Sequence, residues 1–181
     1  MKKNILYAFI TLCLVITSCS KDEPDHVHEH ELMTTMTITL TSSDGSGNVT
    51  LQTQDLDGDG PNAPDITVSG NLKSGVLYNG AIVLLNETES PAENVTMEIE
   101  EEDKEHQFFY TAGSGLDITT EYLNFDSDGN PLGTKFSLIA RSAGSGLLTF
   151  TLRHEPKKPN SGLEDAGGGT DIEASFNVTV E

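Results

Sequence analysis

Basic side chains are scarce: ten lysines and arginines stand against 29 aspartates and glutamates, and the formal charge is −19. A surface of that sign repels phosphate backbones and anionic head groups, which excludes nucleic acid as a partner and favours cations and cationic partners. Cysteine is nearly missing. Cys13 lies inside the N-terminal apolar run and Cys19 just beyond it, so no pair remains to crosslink a domain. After residue 18 no apolar run approaches the roughly 20 residues of a membrane-spanning helix. The motifs of catalysis are also absent: no G-x-S-x-G elbow, no H-E-x-x-H, no phosphate-cradling glycine loop, and no cysteine placed to act as a nucleophile. Paired carboxylates abound, yet acids this frequent meet by chance, and a glycosidase needs a defined cleft between them. The chain does not read as an enzyme.

What is present begins with an address. Lys2 and Lys3 precede "ILYAFITLCLVI", and "ITSC" ends it at Cys19, the pattern of a lipoprotein signal peptide over residues 1–18 with a lipobox. Cys19 then becomes the acylated, palmitate-bearing N-terminus and ties the chain to the outer membrane; the other reading is an ordinary secreted protein cut nearby. "SKDE", residues 20–23, resembles the export signal that sends Bacteroidota lipoproteins to the outer face of that membrane, as opposed to a periplasm-facing anchor. Residues 19–33 are polar and charged and include Pro24. They bury too little to pack and are expected to form a flexible tether.

From residue 34 to 181 the pattern changes to period two. "MTITLT" alternates Met36, Ile38 and Leu40 with threonines, and "NVTLQT", "ITVSGNL", "VLYNGAIVLLNE", "HQFFYTA", "DITTEYLNF", "TKFSLIAR", "LLTFTLRHE" and "DIEASFNVTV" follow, parted by Gly, Asn, Asp and Pro. Nine such runs predict an all-β, immunoglobulin-like antiparallel sandwich, large enough for a single core without disulfides. "NVTMEIEEEDKEH" alone departs from this. Thr96 could cap one or two helical turns, although Val95, Met97 and Ile99 also alternate as a strand would. At most one short helix is expected.

Two acidic loops suggest calcium. In "DLDGDG", Asp55, Asp57 and Asp59 fall at alternate positions before Gly60, which lets carboxylates converge on a hard cation. Ile66 stands where an EF-hand would place its bidentate acid, so an EF-hand is excluded, leaving a sandwich-borne calcium loop or an Asp/Gly hairpin turn. "DSDGN", with Asp126, Asp128 and Asn130, repeats the spacing imperfectly before Pro131.

The histidines suggest zinc, copper or iron. His26, His28 and His30 on the tether have a chelating spacing, but ordering a mobile segment weakens such a site. His106 and His154 each end a strong strand run. With Glu105, Glu155 and Glu87 they could form a preorganised site at the sandwich rim; the alternative is two hydrogen-bonded structural histidines.

Through "DLDGDGPNAP", "LLNE", "EHQFFYTAGSGL", "DSDGNPLG", "LRHEPKKPN" and "AGGGTDI" the chain is similar, over nearly its whole mature length, to a set of small Bacteroidota outer-membrane lipoproteins sometimes labelled type 1 periplasmic-binding fold proteins. The resemblance implies a lipoprotein with a binding role. The two-lobed α/β receptor in that label does not suit these residues, which lack both alternating strands and helices and long crossover helices. Two functions follow as expectations. One is a surface binding module that captures a transition metal or small solute for an outer-membrane receptor of the TonB-dependent kind. The other is a structural or adhesive lipoprotein whose loops calcium stiffens.

Overall fold

The computed structural model describes residues 31–58 and 60–181. Its strands are β1 (Thr35–Ser42), β2 (Asn48–Gln54), β3 (Asp65–Val68), β4 (Leu77–Leu85), β5 (His106–Ala112), β6 (Asp117–Tyr122), β7 (Lys135–Ser142), β8 (Gly144–His154) and β9 (Gly169–Val180). They match the nine apolar runs one for one. A six-stranded sheet in the order β3-β2-β1-β4-β7-β6 faces a three-stranded sheet in the order β5-β8-β9. Every named strand pairing is antiparallel. The all-β sandwich is therefore the architecture, and nothing in it resembles a doubly wound α/β receptor. Among the described residues no helix is long and apolar enough to cross a membrane.

Period-two alternation decides which face each strand buries. β1 sends Met36, Ile38 and Leu40 inward, β4 sends Tyr78, Ile82 and Leu84, and β9 sends Ala174, Phe176, Val178 and Val180. The sheets meet through aromatic rings: Phe136 of β7 lies 5.7 Å from Phe150 of β8 and 4.5 Å from Tyr110 of β5, between ring centroids. Each fully buried ring of this kind stabilises the fold by about 1.5–3 kcal/mol. Gly80 makes the packing possible, because a Cβ there would come within 2.3 Å of the Phe136 ring.

The acidic stretch after β4 is helical, as α1 (Val95–Glu101). Val95 and Ile99 are buried, while Met97 is exposed, so a helical rather than a strand period wins. Thr96 is not its cap. Asn94 takes that position without a side-chain bond, and the Thr96 hydroxyl instead accepts from the Leu84 N–H at 2.7 Å, pinning the helix to β4. A second helical turn, α2 (Leu163–Ala166), lies in the β8–β9 connection, one more than the single short helix expected. At the other end of the chain, Met33 already packs against the core, so packed structure begins just ahead of residue 34.

Candidate metal centre

β5 starts with His106 and β8 ends with His154, and the antiparallel register sets the two residues directly opposite each other. Their rings are stacked, 5.0 Å between centroids and 9° from parallel. His106 is buried, at 3% exposure, and its Nδ1 lies 3.3 Å from the Glu102 carbonyl oxygen. A carbonyl only accepts, so Nδ1 carries the proton and Nε2 presents its lone pair. Burial, the largest influence, holds the His106 imidazolium below its ordinary range, which keeps the ring neutral and fit to bind a metal. The backbone around it is fixed by Lys158, whose buried ammonium donates to the carbonyls of Asp103 and His106, both at 2.7 Å, and to Asp126 at 3.2 Å.

The third member is Asp171, which sequence reasoning missed. Leu152 pairs with Ile172 and Arg153 with Thr170, so Asp171 is the extra residue of a β-bulge, a feature that re-aims a side chain. In unbroken register it would face away from the core side that Ile172 occupies; the bulge turns it inward to 6% side-chain exposure. Its Oδ2 lies 3.7 Å from His106 Nε2 and its Oδ1 3.8 Å from His154 Nδ1. The three glycines ahead of it are the signal that could have revealed it. Gly168 has φ +73°, and a Cβ on it would lie 2.2 Å from the His154 carbonyl oxygen. Only glycine lets β9 begin so close to the end of β8.

Glu105 and Glu155 complete the rim. Glu105 Oε2 is 3.9 Å from His154 Nε2, and single ligand atoms of Glu105, His154 and Glu155 lie within 4.8 Å of one another. Glu155 adopts a left-handed φ of 50° while its N–H donates to the Glu105 carbonyl at 2.6 Å. A non-glycine residue held there costs about 1–2 kcal/mol, a strain often found at functional sites. Glu31 enters from the chain ahead of β1. Burial first, then Glu98, Glu102 and Asp171, push its carboxyl up to about 7. Acids from α1, from the turn after it, from β9 and from the N-terminal segment thus crowd around the two imidazoles.

Several of the other expected ligands are engaged elsewhere. Glu87 does not join the histidines: its Oε2 accepts from Thr35 and Gln54, and those bonds hold its carboxyl below the usual range. Asp57 spends a carboxylate oxygen on the Asn62 side chain at 2.6 Å, closing its own turn, and the Asp55 N–H donates to the Thr34 carbonyl. Asp126 accepts from the Asp128 and Asn130 N–H groups at 3.0 and 2.7 Å and from Lys158. An ammonium therefore stands beside Asp126 where calcium was expected, while Asp128 pairs with Lys104 at 2.9 Å. The signal peptide, Cys19, His26, His28, His30 and Asp59 lie outside the described residues. Comparisons of the chain with protein-family models, with curated proteins and with solved structures return no match.

Proposed function

We propose that the protein is a lipid-anchored binding module of the outer membrane that captures a transition metal at the His106–His154 rim and passes it to an outer-membrane receptor. The observation that carries this reading is the cross-strand pairing of two histidines with Asp171 and Glu105 aimed at their nitrogens. Two imidazoles and a carboxylate are a donor set suited to zinc and its neighbours. The folded strands supply most of the ordering that three histidines on a tether would lack. The lipobox at Ile16–Cys19 and the lysine and acids after it support the anchor and its outward face. The calcium-stiffened alternative has less support, since Asp57 and Asp126 are bonded within their own loops.

The test is a titration of the full chain with zinc and with copper. Substituting His26, His28 and His30 by alanine is cleaner than deleting residues 20–33, because Glu31 and Met33 belong to the packed part. That triple variant should lose stoichiometry and keep the tightest site, whereas His106→Ala or His154→Ala should remove that site from a folded protein. Binding abolished by the triple variant alone, or indifferent to both rim substitutions, would overturn the reading.

A further inference from the structure

We infer that the open edge of β9 docks a second copy of this chain, whose own β9 adds antiparallel across a two-fold axis at Ser175 and makes the three-stranded sheets of the two copies continuous. The inference goes beyond metal capture and does not depend on it.

β9 pairs with β8 along one side. On its other side the Leu72 N–H donates to the Thr179 carbonyl and the Glu181 N–H to the Leu72 carbonyl, both at 2.9 Å, so the backbone groups of Thr179 and Glu181 point away from β8. A strand residue turns its N–H and C=O to the same side, and that side alternates along the chain. Glu173, Ser175 and Asn177 therefore present theirs outward as well. Among the described residues no backbone group bonds to them there.

The other three sheet edges are covered or blunted, as edges that must not pair are. On β5 the Phe108 N–H donates to the Leu132 carbonyl, while Lys158 and Tyr122 donate to the carbonyls of His106 and Phe108. β3 is only four residues long, and β6 is bulged beside Asp117 and carries Glu121. β9 after Ile172 has no proline, no lysine and no bulge. Beside it lies β3, where Ile66 pairs with Thr53 and Val68 with Leu51. Since Thr53 and Leu51 are buried, Ile66 faces the core side, yet it is 53% exposed. The three-stranded sheet is too narrow to cover it, and a strand added at β9 widens that sheet toward it.

Charge favours a second copy as the added strand. A chain with 29 acids and a formal charge of −19 can meet itself only where acids are missing, and Ala174–Val180 holds no charged residue. Two β9 strands crossing antiparallel at Ser175 set Ser175 opposite Ser175 of the second copy, and Glu173 opposite its Asn177. No carboxylate then stands opposite another, and each of these pairs exchanges its backbone hydrogen bonds. A contact confined to one edge falls short of the roughly 1,200 Å² of a stable interface, so the dimer is a weak one in solution.

The experiment is sedimentation equilibrium on the full chain carrying Cys19→Ala, in chelator. A monomer–dimer equilibrium is expected, with Kd on the order of 100 µM. It should tighten about threefold or more between about 0.05 and about 0.5 M salt, because screening relieves the repulsion of two acidic chains. Asn177→Pro removes a donor that no internal bond uses, and should weaken the dimer about tenfold or more while the far-ultraviolet circular dichroism stays the same. Ser175→Lys and Ser175→Glu should each weaken it, and mixing the two in equal amounts should restore it, since only this register sets residue 175 opposite itself. A chain that stays monomeric at about 1 mM overturns the inference, and so does a dimer indifferent to Asn177→Pro or not recovered by mixing. Because chelator is present throughout, failure here leaves metal capture standing, and a rim that binds no zinc leaves the edge standing.

Discussion

His106 and Glu31 sit in the same corner, and burial moves their protons in opposite senses. The buried imidazole is held below its ordinary value of 6.5, so the unfolded chain binds that proton more readily and the fold loses stability as pH drops through 6.5. Glu31 is the reverse case. Its carboxyl is raised from 4.5 to about 7, so its contribution is fully present below 4.5 and is lost as pH rises through about 7. A Glu31→Gln protein never ionises there. In chelator, with no metal to share the charge, it should be more stable than wild type at pH 8 by about 1 kcal/mol, a figure already reduced for solvent screening of a half-exposed group. The advantage should shrink to nothing by about pH 4.5. Urea denaturation across that range reads it directly, and an advantage independent of pH would show that Glu31 acts through packing alone.

At the scale of elements, the corner exists because β8 and β9 come within backbone contact at Gly168 and slip by one residue at Asp171. Gly168→Ala should therefore do two things at once. A Cβ 2.2 Å from the His154 carbonyl oxygen, on a residue with φ +73°, should destabilise the domain by at least about 2 kcal/mol. It should also weaken zinc binding tenfold or more by displacing Asp171. Gly70→Ala, with open space around it, should stay within about 0.5 kcal/mol of wild type. Calorimetric melting and zinc titration on both variants check the pair, and a Gly168→Ala protein that melts earlier yet binds zinc normally would separate the bulge from the site. The same element explains what was legible in the sequence. Alternation such as Met36, Ile38 and Leu40 announces a strand because the period is local, and two histidines at strand ends could be matched once the strands were antiparallel. Asp171 could not be found this way, since its inward turn depends on a register slip between strands that period two treats as unbroken. Thr96 misled for a related reason: its hydroxyl answers the backbone of Leu84, twelve residues back, and not its own helix. The contact of Asp126 with Lys158 was equally hidden, since Lys158 is distant in sequence and only the fold brings it there.

For the whole molecule, a formal charge of −19 and the absence of cysteine from the described residues make the stability of the described domain depend on its core. If Cys19 is the anchor, Cys19→Ala should leave the membrane fraction without altering the domain, and a variant that stays with the membrane would defeat the lipoprotein reading. Metal linkage then separates the two functions at the level of melting. A ligand at about 100 times its dissociation constant that binds only the folded state adds about 2.7 kcal/mol. In a domain of this size each kcal/mol moves the midpoint by about 2–4 °C, so zinc should raise it by about 5–10 °C. Calcium at the same concentration should do little, because one acid of each loop already has partners: Asp57 in Asn62, Asp126 in Lys158 and the turn amides. His106→Ala should abolish the zinc shift, while Asp57→Asn, which touches only its own loop, should leave it unchanged. Differential scanning calorimetry of these proteins in zinc, calcium and chelator gives the answer. A large calcium shift lost in Asp57→Asn, with no zinc shift to lose in His106→Ala, would turn the rim into a structural histidine pair and return the protein to the calcium-stiffened reading.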